Sequence, residues 1–254
     1  MKFLLRCLLV PFLLLTTAAS NPVLVPDVSQ RKIDIVYSFT GAELLLFGAI
    51  LYPGGRVPSR DANIVVVLRG PSQSLIVREK RKLGGLIWVN AESTQFRSAP
   101  GFYAVAGSKP LSKLVDERTA AIYELGLGSL HLSPASGKLP EAQRRFEKGF
   151  VDLLGRADLY TQSANTVEIT DGVLYRARLT IPARVPVGTY TAETFLIRDG
   201  RVLAAATRDI EINKSGFERY IAEWSQAQPF SYGMAAVFLS LLLGWGASAL
   251  FRRI

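Results

Sequence analysis

The chain has 254 residues, 49% of them hydrophobic and 20% charged, which suffices for one globular domain, or two small ones, plus a membrane segment. Its formal net charge of +9 is a mild excess that does not indicate nucleic acid as a partner. One cysteine, Cys7, and one histidine, His131, argue against a disulfide framework, a thiolate zinc site and a paired-histidine metal site. We therefore expect no metal and no cofactor.

The first twenty residues have the pattern of a secretory signal peptide. Lys2 and Arg6 precede a short apolar run, and small residues follow at 16–20. Cleavage after Ala19 or Ser20 fits this pattern best. An uncleaved N-terminal anchor is the alternative, although the apolar run is short for a span.

Residues 21–213 are predicted to form one periplasmic domain that is mainly β. The segment 173–181 alternates between apolar and polar residues, Asn63–Arg69 is rich in β-branched residues, and Asp199-Gly200 is typical of a hairpin turn. Residues 42–50 are apolar at nearly every position, which favours a strand buried on both faces. We predict an immunoglobulin-like β-sandwich. Two domains, split near Gly107 or Gly155, are the alternative.

A helical insertion is predicted within this domain, at about residues 110–155. Apolar residues recur at helical spacing from Leu111 to Leu125. Pro140 then suits the first turn of a second helix, in which Phe146 and Phe150 share one face.

The C-terminal part is predicted to attach the domain to a lipid bilayer. Residues 230–251 carry no charge and, as a helix, would be roughly 33 Å long, enough to cross a hydrocarbon core of about 30 Å. Residues 214–229 are predicted to form a juxtamembrane amphipathic helix that begins with a capping box at Ser215 and Glu218. Trp224 and Tyr232 would be interfacial anchors. A helix docked on the sandwich is an equal alternative for 214–229.

Arg252 and Arg253 follow the apolar run at once. Positive charge is retained on the cytoplasmic side of a membrane, so residues 252–254 would be a cytoplasmic tail. The signal peptide would place the bulk of the chain in the periplasm. The prediction is a single-pass protein of a bacterial inner membrane.

Small residues recur every four positions along the predicted span, at Ala236, Ser240, Gly244 and Ser248. They would share one helix face and allow another helix to approach closely. We expect self-association, or association with another membrane protein, through this face.

The densest basic cluster comprises Arg78, Lys80, Arg81 and Lys82. It could contact an anionic lipid surface or an acidic partner. The favoured interpretation is the solvated edge of a hairpin, where lysine prevents strands of different molecules from pairing.

No catalytic constellation is visible in the sequence. His131 lies between leucines and serines, which is typical of a surface or half-buried histidine. Ser29 and Lys32 match a serine acyl-enzyme pattern but lie in an extended lead-in without companion motifs. We expect no catalytic residues and no enzymatic activity.

Five stretches carry a family resemblance: residues 25–50, ANIVVVLRGP at 62–71, FYAVAGSKPL at 102–111, residues 181–200 and the final span. Together they resemble a family of uncharacterised alphaproteobacterial transmembrane proteins. The resemblance implies an inner-membrane protein with a periplasmic domain. It also associates the chain with sulfite-exporter-type permeases, as an accessory subunit, and it implies no activity.

The prediction is therefore a membrane-anchored interaction or accessory protein, which could serve an inner-membrane transporter. The alternative is a periplasmic ligand-binding or sensing domain with a groove between sheet and helices. A hydrolytic enzyme with a dispersed site ranks third.

Overall fold

The structure is a computed structural model that describes residues 21–35, 41–58, 62–134, 139–214 and 217–251. The signal segment, Ser215, Arg252 and Arg253 lie outside the described residues. The strands are β1 (Val23–Val28), β2 (Lys32–Ile35), β3 (Ala42–Leu51), β4 (Asn63–Arg69), β5 (Ser72–Leu83), β6 (Ile87–Pro100), β7 (Tyr103–Gly107), β8 (Ser133–Pro134), β9 (Tyr160–Ala164), β10 (Val167–Thr170), β11 (Leu174–Ile181), β12 (Gly188–Arg198) and β13 (Arg201–Lys214). The helices are α1 (Glu117–Ile122), α2 (Pro140–Arg156), α3 (Phe217–Ala227) and α4 (Pro229–Phe251).

The described strands form three sheets. One has the order β1-β3-β11-β10, a second has the order β2-β13-β12-β4-β7-β9, and β5, β6 and β8 form the third. Pairing is antiparallel except for β13 with β2 and β7 with β9. The mainly β class is confirmed, whereas an immunoglobulin-like arrangement is not, since such a sandwich is built from antiparallel strands.

The first hydrophobic core lies between the four-stranded and six-stranded sheets. Leu44, Leu46 and Ile50 of β3 point into it from one side, and Ile64 and Val66 of β4 from the other. Tyr175 of β11 also enters this core, where Gly48 leaves room for its ring because a Cβ there would lie 2.6 Å from the hydroxyl. Burial of these side chains holds the two sheets together.

A second core covers the opposite face of the six-stranded sheet. Val65 and Val67 of β4 and Val105 of β7 pack with Phe146 and Phe150 of α2. Every residue from 64 to 68 is therefore fully buried, and β4 is a strand covered on both faces. The six-stranded sheet is the middle layer of three.

The interpretation of residues 42–50 as a strand buried on both faces is wrong. In β3 buried and accessible positions alternate, and Phe47 and Leu51 remain 39% and 52% exposed. The reason is that β3 belongs to the four-stranded sheet, which meets a partner sheet on one side only.

The helix α2 is attached to the middle sheet through aromatic rings. Pro140 occupies its first turn, where the missing N–H needs no partner. Phe146 and Phe150 are four residues apart and so lie on the same face. The Phe150 ring lies 5.0 Å from Phe96 and 5.8 Å from Tyr160, measured between ring centroids.

This packing predicts unequal effects of two substitutions on α2. Phe150→Ala should lower the free energy of unfolding by about 3–5 kcal/mol, because it leaves a cavity between α2 and the sheet. Leu153→Ala should cost less than about 1 kcal/mol, because Leu153 is 57% exposed. Denaturant unfolding of the full chain in detergent measures both, and equal losses would contradict the described packing of α2.

Candidate functional site

The junction of α3 and α4 is held by aromatic and hydroxyl contacts. Trp224 Nε1 donates a hydrogen bond to Ser231 Oγ at 3.0 Å, and the Trp224 and Tyr232 rings meet edge to face with centroids 5.7 Å apart. Tyr220 lies 6.2 Å from Trp224 on its other side. The two predicted interfacial anchors are thus neighbours at the start of α4. Tryptophan and tyrosine at one level suit a membrane–water boundary.

The helix α4 is long and apolar enough to cross a membrane. Nine of its large apolar side chains are exposed in the described part of the chain: Phe230, Met234, Val237, Phe238, Leu239, Leu241, Leu242, Leu243 and Trp245. They surround the helix on all sides. A helix that is apolar all round requires an apolar environment, which lipid supplies.

The small residues Ala236, Ser240, Gly244 and Ser248 are all exposed on α4. The Ser240 hydroxyl donates to the Ala236 carbonyl at 2.8 Å, so it is satisfied within the helix. A Cβ added at Gly244 would meet nothing within 4 Å. This face is open to a second helix.

The basic cluster lies on β5, which pairs with β6 to form a long two-stranded ribbon. Arg81 is neutralised there, because its guanidinium contacts Glu79 at 3.2 Å and Glu92 at 3.0 Å. Arg145 of α2 contacts the same two carboxylates at 3.1 and 3.0 Å. We call these four residues the ribbon clamp. They mark the point at which the ribbon leaves α2.

Lys82 differs from Arg81, since its Nζ lies 5.3 Å from the centroid of the Trp88 ring on the facing strand. Among the described residues, no carboxylate lies within ion-pair distance of Arg78, Lys80 or Lys82. The structure therefore divides the cluster into a paired arginine and three cations open to solvent.

A groove of about 360 Å³ lies between β5 and α2. Val77, Phe146 and Leu153 supply apolar walls. The charged side chains that also line it are Arg78, Glu79, Arg145, Asp152 and Arg156. Gly149 leaves the helix wall open, since an added Cβ would meet nothing within 4 Å. This is the kind of groove between strand and helix that the ligand-binding alternative requires.

Sequence reasoning missed a polar cluster around Arg69, at the end of β4. The Arg69 guanidinium pairs with Glu124, and its Nε lies 3.1 Å from Glu193. His131 Nδ1 lies 2.9 Å from the other oxygen of Glu124. Burial alone would lower the pKa of Arg69, but the hydrogen bond with Glu124 and the charge of Glu193 raise it. The signal for this cluster was an arginine that ends a wholly apolar strand.

Tyr103 also belongs to this cluster. Its hydroxyl donates to the Glu124 carbonyl and accepts from the Gly126 N–H at 3.0 Å. Burial raises its pKa to about 12. These bonds fasten the turn after α1 to the middle sheet, so the cluster joins the insertion to the sandwich.

The candidates for metal binding and catalysis can be placed within the described residues. Among the described residues no group of three metal-ligating side chains is present. Ser29 follows β1, where its N–H pairs with Leu45, while Lys32 begins β2 in a different sheet. His131 is held by a carboxylate that is already bound to Arg69.

The raised pKa of Tyr103 predicts an alkaline effect on stability. An unfolded tyrosine ionises near pH 10, so the neutral phenol stabilises the fold fully below pH 10 and this contribution is lost as the pH rises toward 12. The free energy of unfolding should fall between about pH 8 and about pH 11.5. This fall should be about 2 kcal/mol smaller in Tyr103→Phe than in the native chain.

Urea unfolding at the two pH values provides the measurement. An unchanged pH dependence in Tyr103→Phe would disprove the buried, hydrogen-bonded phenol.

Comparisons with known proteins agree with the anchor. A family model described as "Putative transmembrane protein (Alph_Pro_TM)" matches residues 23–253. No curated protein matches the chain. The crystal structure of the sporulation control protein Spo0M from Bacillus subtilis is similar at 9% identity and a TM-score of 0.33, over 82% of this chain. The chain spans 56% of that protein, and a likeness at this level carries no argument.

Proposed function

Because the chain belongs to the Alph_Pro_TM family of transmembrane proteins, we propose that it is a single-pass protein of a bacterial inner membrane. Its bulk lies in the periplasm and its C-terminus in the cytoplasm. The signal pattern of residues 1–20 and the positive charge of Arg252 and Arg253 support this orientation. α4 supports the single crossing.

We further propose a non-enzymatic role as an interaction or accessory subunit. The observation that carries this proposal is the open face of small residues on α4, since a helix that serves only as an anchor needs no such face. The partner is a second copy or another membrane protein. The family resemblance favours a sulfite-exporter-type permease.

Two glycines of α4 provide a matched test. Gly244→Ile should weaken association by about 1 kcal/mol, roughly a factor of five, because its side chain blocks close approach. Gly246→Ile should have little effect, because Gly246 lies about 200° further round the helix. Neither substitution creates a clash within the chain, since both glycines have open space.

A membrane two-hybrid assay measures self-association, and crosslinked pull-down from native membranes measures capture of a different partner. Equal behaviour of the two variants in both assays would contradict association through this face.

A second candidate function follows from the groove between β5 and α2. It would bind a small periplasmic solute with an apolar body and an anionic group, given its apolar walls and Arg78, whereas Arg145 and Arg156 are already paired with carboxylates. Gly149→Leu adds an apolar side chain where a Cβ would meet nothing within 4 Å, and it should abolish any thermal stabilisation by solutes. If no solute in a thermal-shift screen stabilises the native chain, the groove is not a binding site.

A further inference from the structure

The β5–β6 ribbon projects beyond the rest of the domain. Inside the ribbon clamp its side chains pack on α2 and the second core, as Val77 and Phe96 do. Residues 80–90, which include Arg81 of the clamp and the turn beyond it, are exposed except Val89. We call residues 80–90 the ribbon tip. A free two-stranded ribbon is marginally stable in water, so such an extension calls for a partner surface.

The apex of the ribbon tip consists of large apolar side chains. Leu83, Leu86, Ile87 and Trp88 are 67%, 88%, 65% and 62% exposed. Isolated exposed apolar residues are common on soluble proteins, but here both faces of one ribbon end carry them, since Leu83 and Ile87 pair on one face and Trp88 lies on the other.

A glycine pair fixes this apex. Gly84 and Gly85 both have positive φ, 58° and 77°, and Leu86 N–H donates to Leu83 C=O at 3.2 Å. Glycine adopts positive φ without strain, so the pair allows the tight reversal of the chain. Leu83 pairs with Ile87, which leaves a three-residue loop at 84–86. Leu86 is therefore a large apolar side chain presented in the loop itself.

Cations lie directly behind the apex. Lys82 pairs across the ribbon with Trp88, and Lys80 pairs with Asn90. Both ammonium groups lack a carboxylate partner among the described residues, whereas Arg81 is held in the ribbon clamp. Long lysine side chains can leave their stems in an apolar layer while the charge reaches a polar one.

We propose that the ribbon tip inserts into the headgroup region of an anionic lipid bilayer. The apolar apex enters the boundary of the acyl chains, Trp88 takes the interfacial level that tryptophan prefers, and Lys80 and Lys82 contact lipid phosphates. The inference rests on the proposed anchoring by α4, which keeps the tip near a bilayer and makes its insertion intramolecular.

The size and charge of the tip favour lipid over a protein partner. A stable protein interface buries about 800 Å² on each side, which four side chains on a narrow ribbon do not provide. A bilayer requires no complementary surface. It needs an apolar point and cations, both of which the tip has.

The test uses the full chain with Cys7→Ser and Leu86→Cys, labelled at the new thiol with an environment-sensitive fluorophore. It is reconstituted into vesicles of phosphatidylcholine alone or mixed with phosphatidylglycerol. In the anionic vesicles we expect a blue shift and quenching by spin-labelled lipid, and neither in phosphatidylcholine alone. The same label at Leu174→Cys, on β11, should report water in both.

Two matched double variants test the cations. Lys80→Glu with Lys82→Glu should abolish the blue shift and the quenching in anionic vesicles. Lys109→Glu with Lys113→Glu makes the same change of net charge at exposed positions away from the ribbon and should leave both signals intact.

Vesicle flotation separates the tip from the anchor. A chain that floats with vesicles while the label at position 86 reports water would overturn the tip proposal alone. Insertion regardless of lipid charge would also overturn it, and so would a label buried only in native membranes, which would indicate a protein partner. A chain that fails to float would contradict the α4 anchor and the tip proposal together.

Discussion

The insolubility of α4 in water is the constraint on which this account depends. Nine large apolar side chains of the described helix are exposed. Burying one such side chain contributes about 1.5–3 kcal/mol of free energy. The sum, roughly 14–27 kcal/mol, is comparable to or larger than the about 5–15 kcal/mol that stabilises a typical domain. A helix can lie in lipid because its backbone groups pair internally. We propose that the aromatic cluster around Trp224 lies where lipid gives way to water.

The outer domain is organised by the double burial of β4. Since both its faces are covered, the six-stranded sheet can carry the four-stranded sheet on one side and α2 on the other. In the ribbon clamp, Arg145 of α2 contacts Glu79 and Glu92 and so attaches the β5–β6 ribbon to that helix. Surface ion pairs of this kind contribute little stability. They connect the ribbon to α2.

Local patterns in the sequence were enough to predict β4, whose bounds 63–69 coincide with its β-branched run, and the insertion of α1 and α2. Local patterns could not show which of β3 and β4 is buried on both faces, because both runs are apolar. Burial on both faces depends on which layers pack against each strand. Local patterns also could not predict the length of the β5–β6 ribbon, because its register depends on cross-strand pairing. Arg69 and Glu124 are 55 residues apart, so no local pattern joins them.

Alkaline carbonate extraction of membranes from cells that make the full chain tests the central claim most directly. The account predicts that the chain stays in the membrane pellet, because α4 lies in hydrocarbon. Charged substitutions at the helix centre, Leu239→Lys with Leu242→Lys, should release it, since each lysine costs about 2.5–3.5 kcal/mol on insertion. Recovery of the native chain in the supernatant would contradict the anchor.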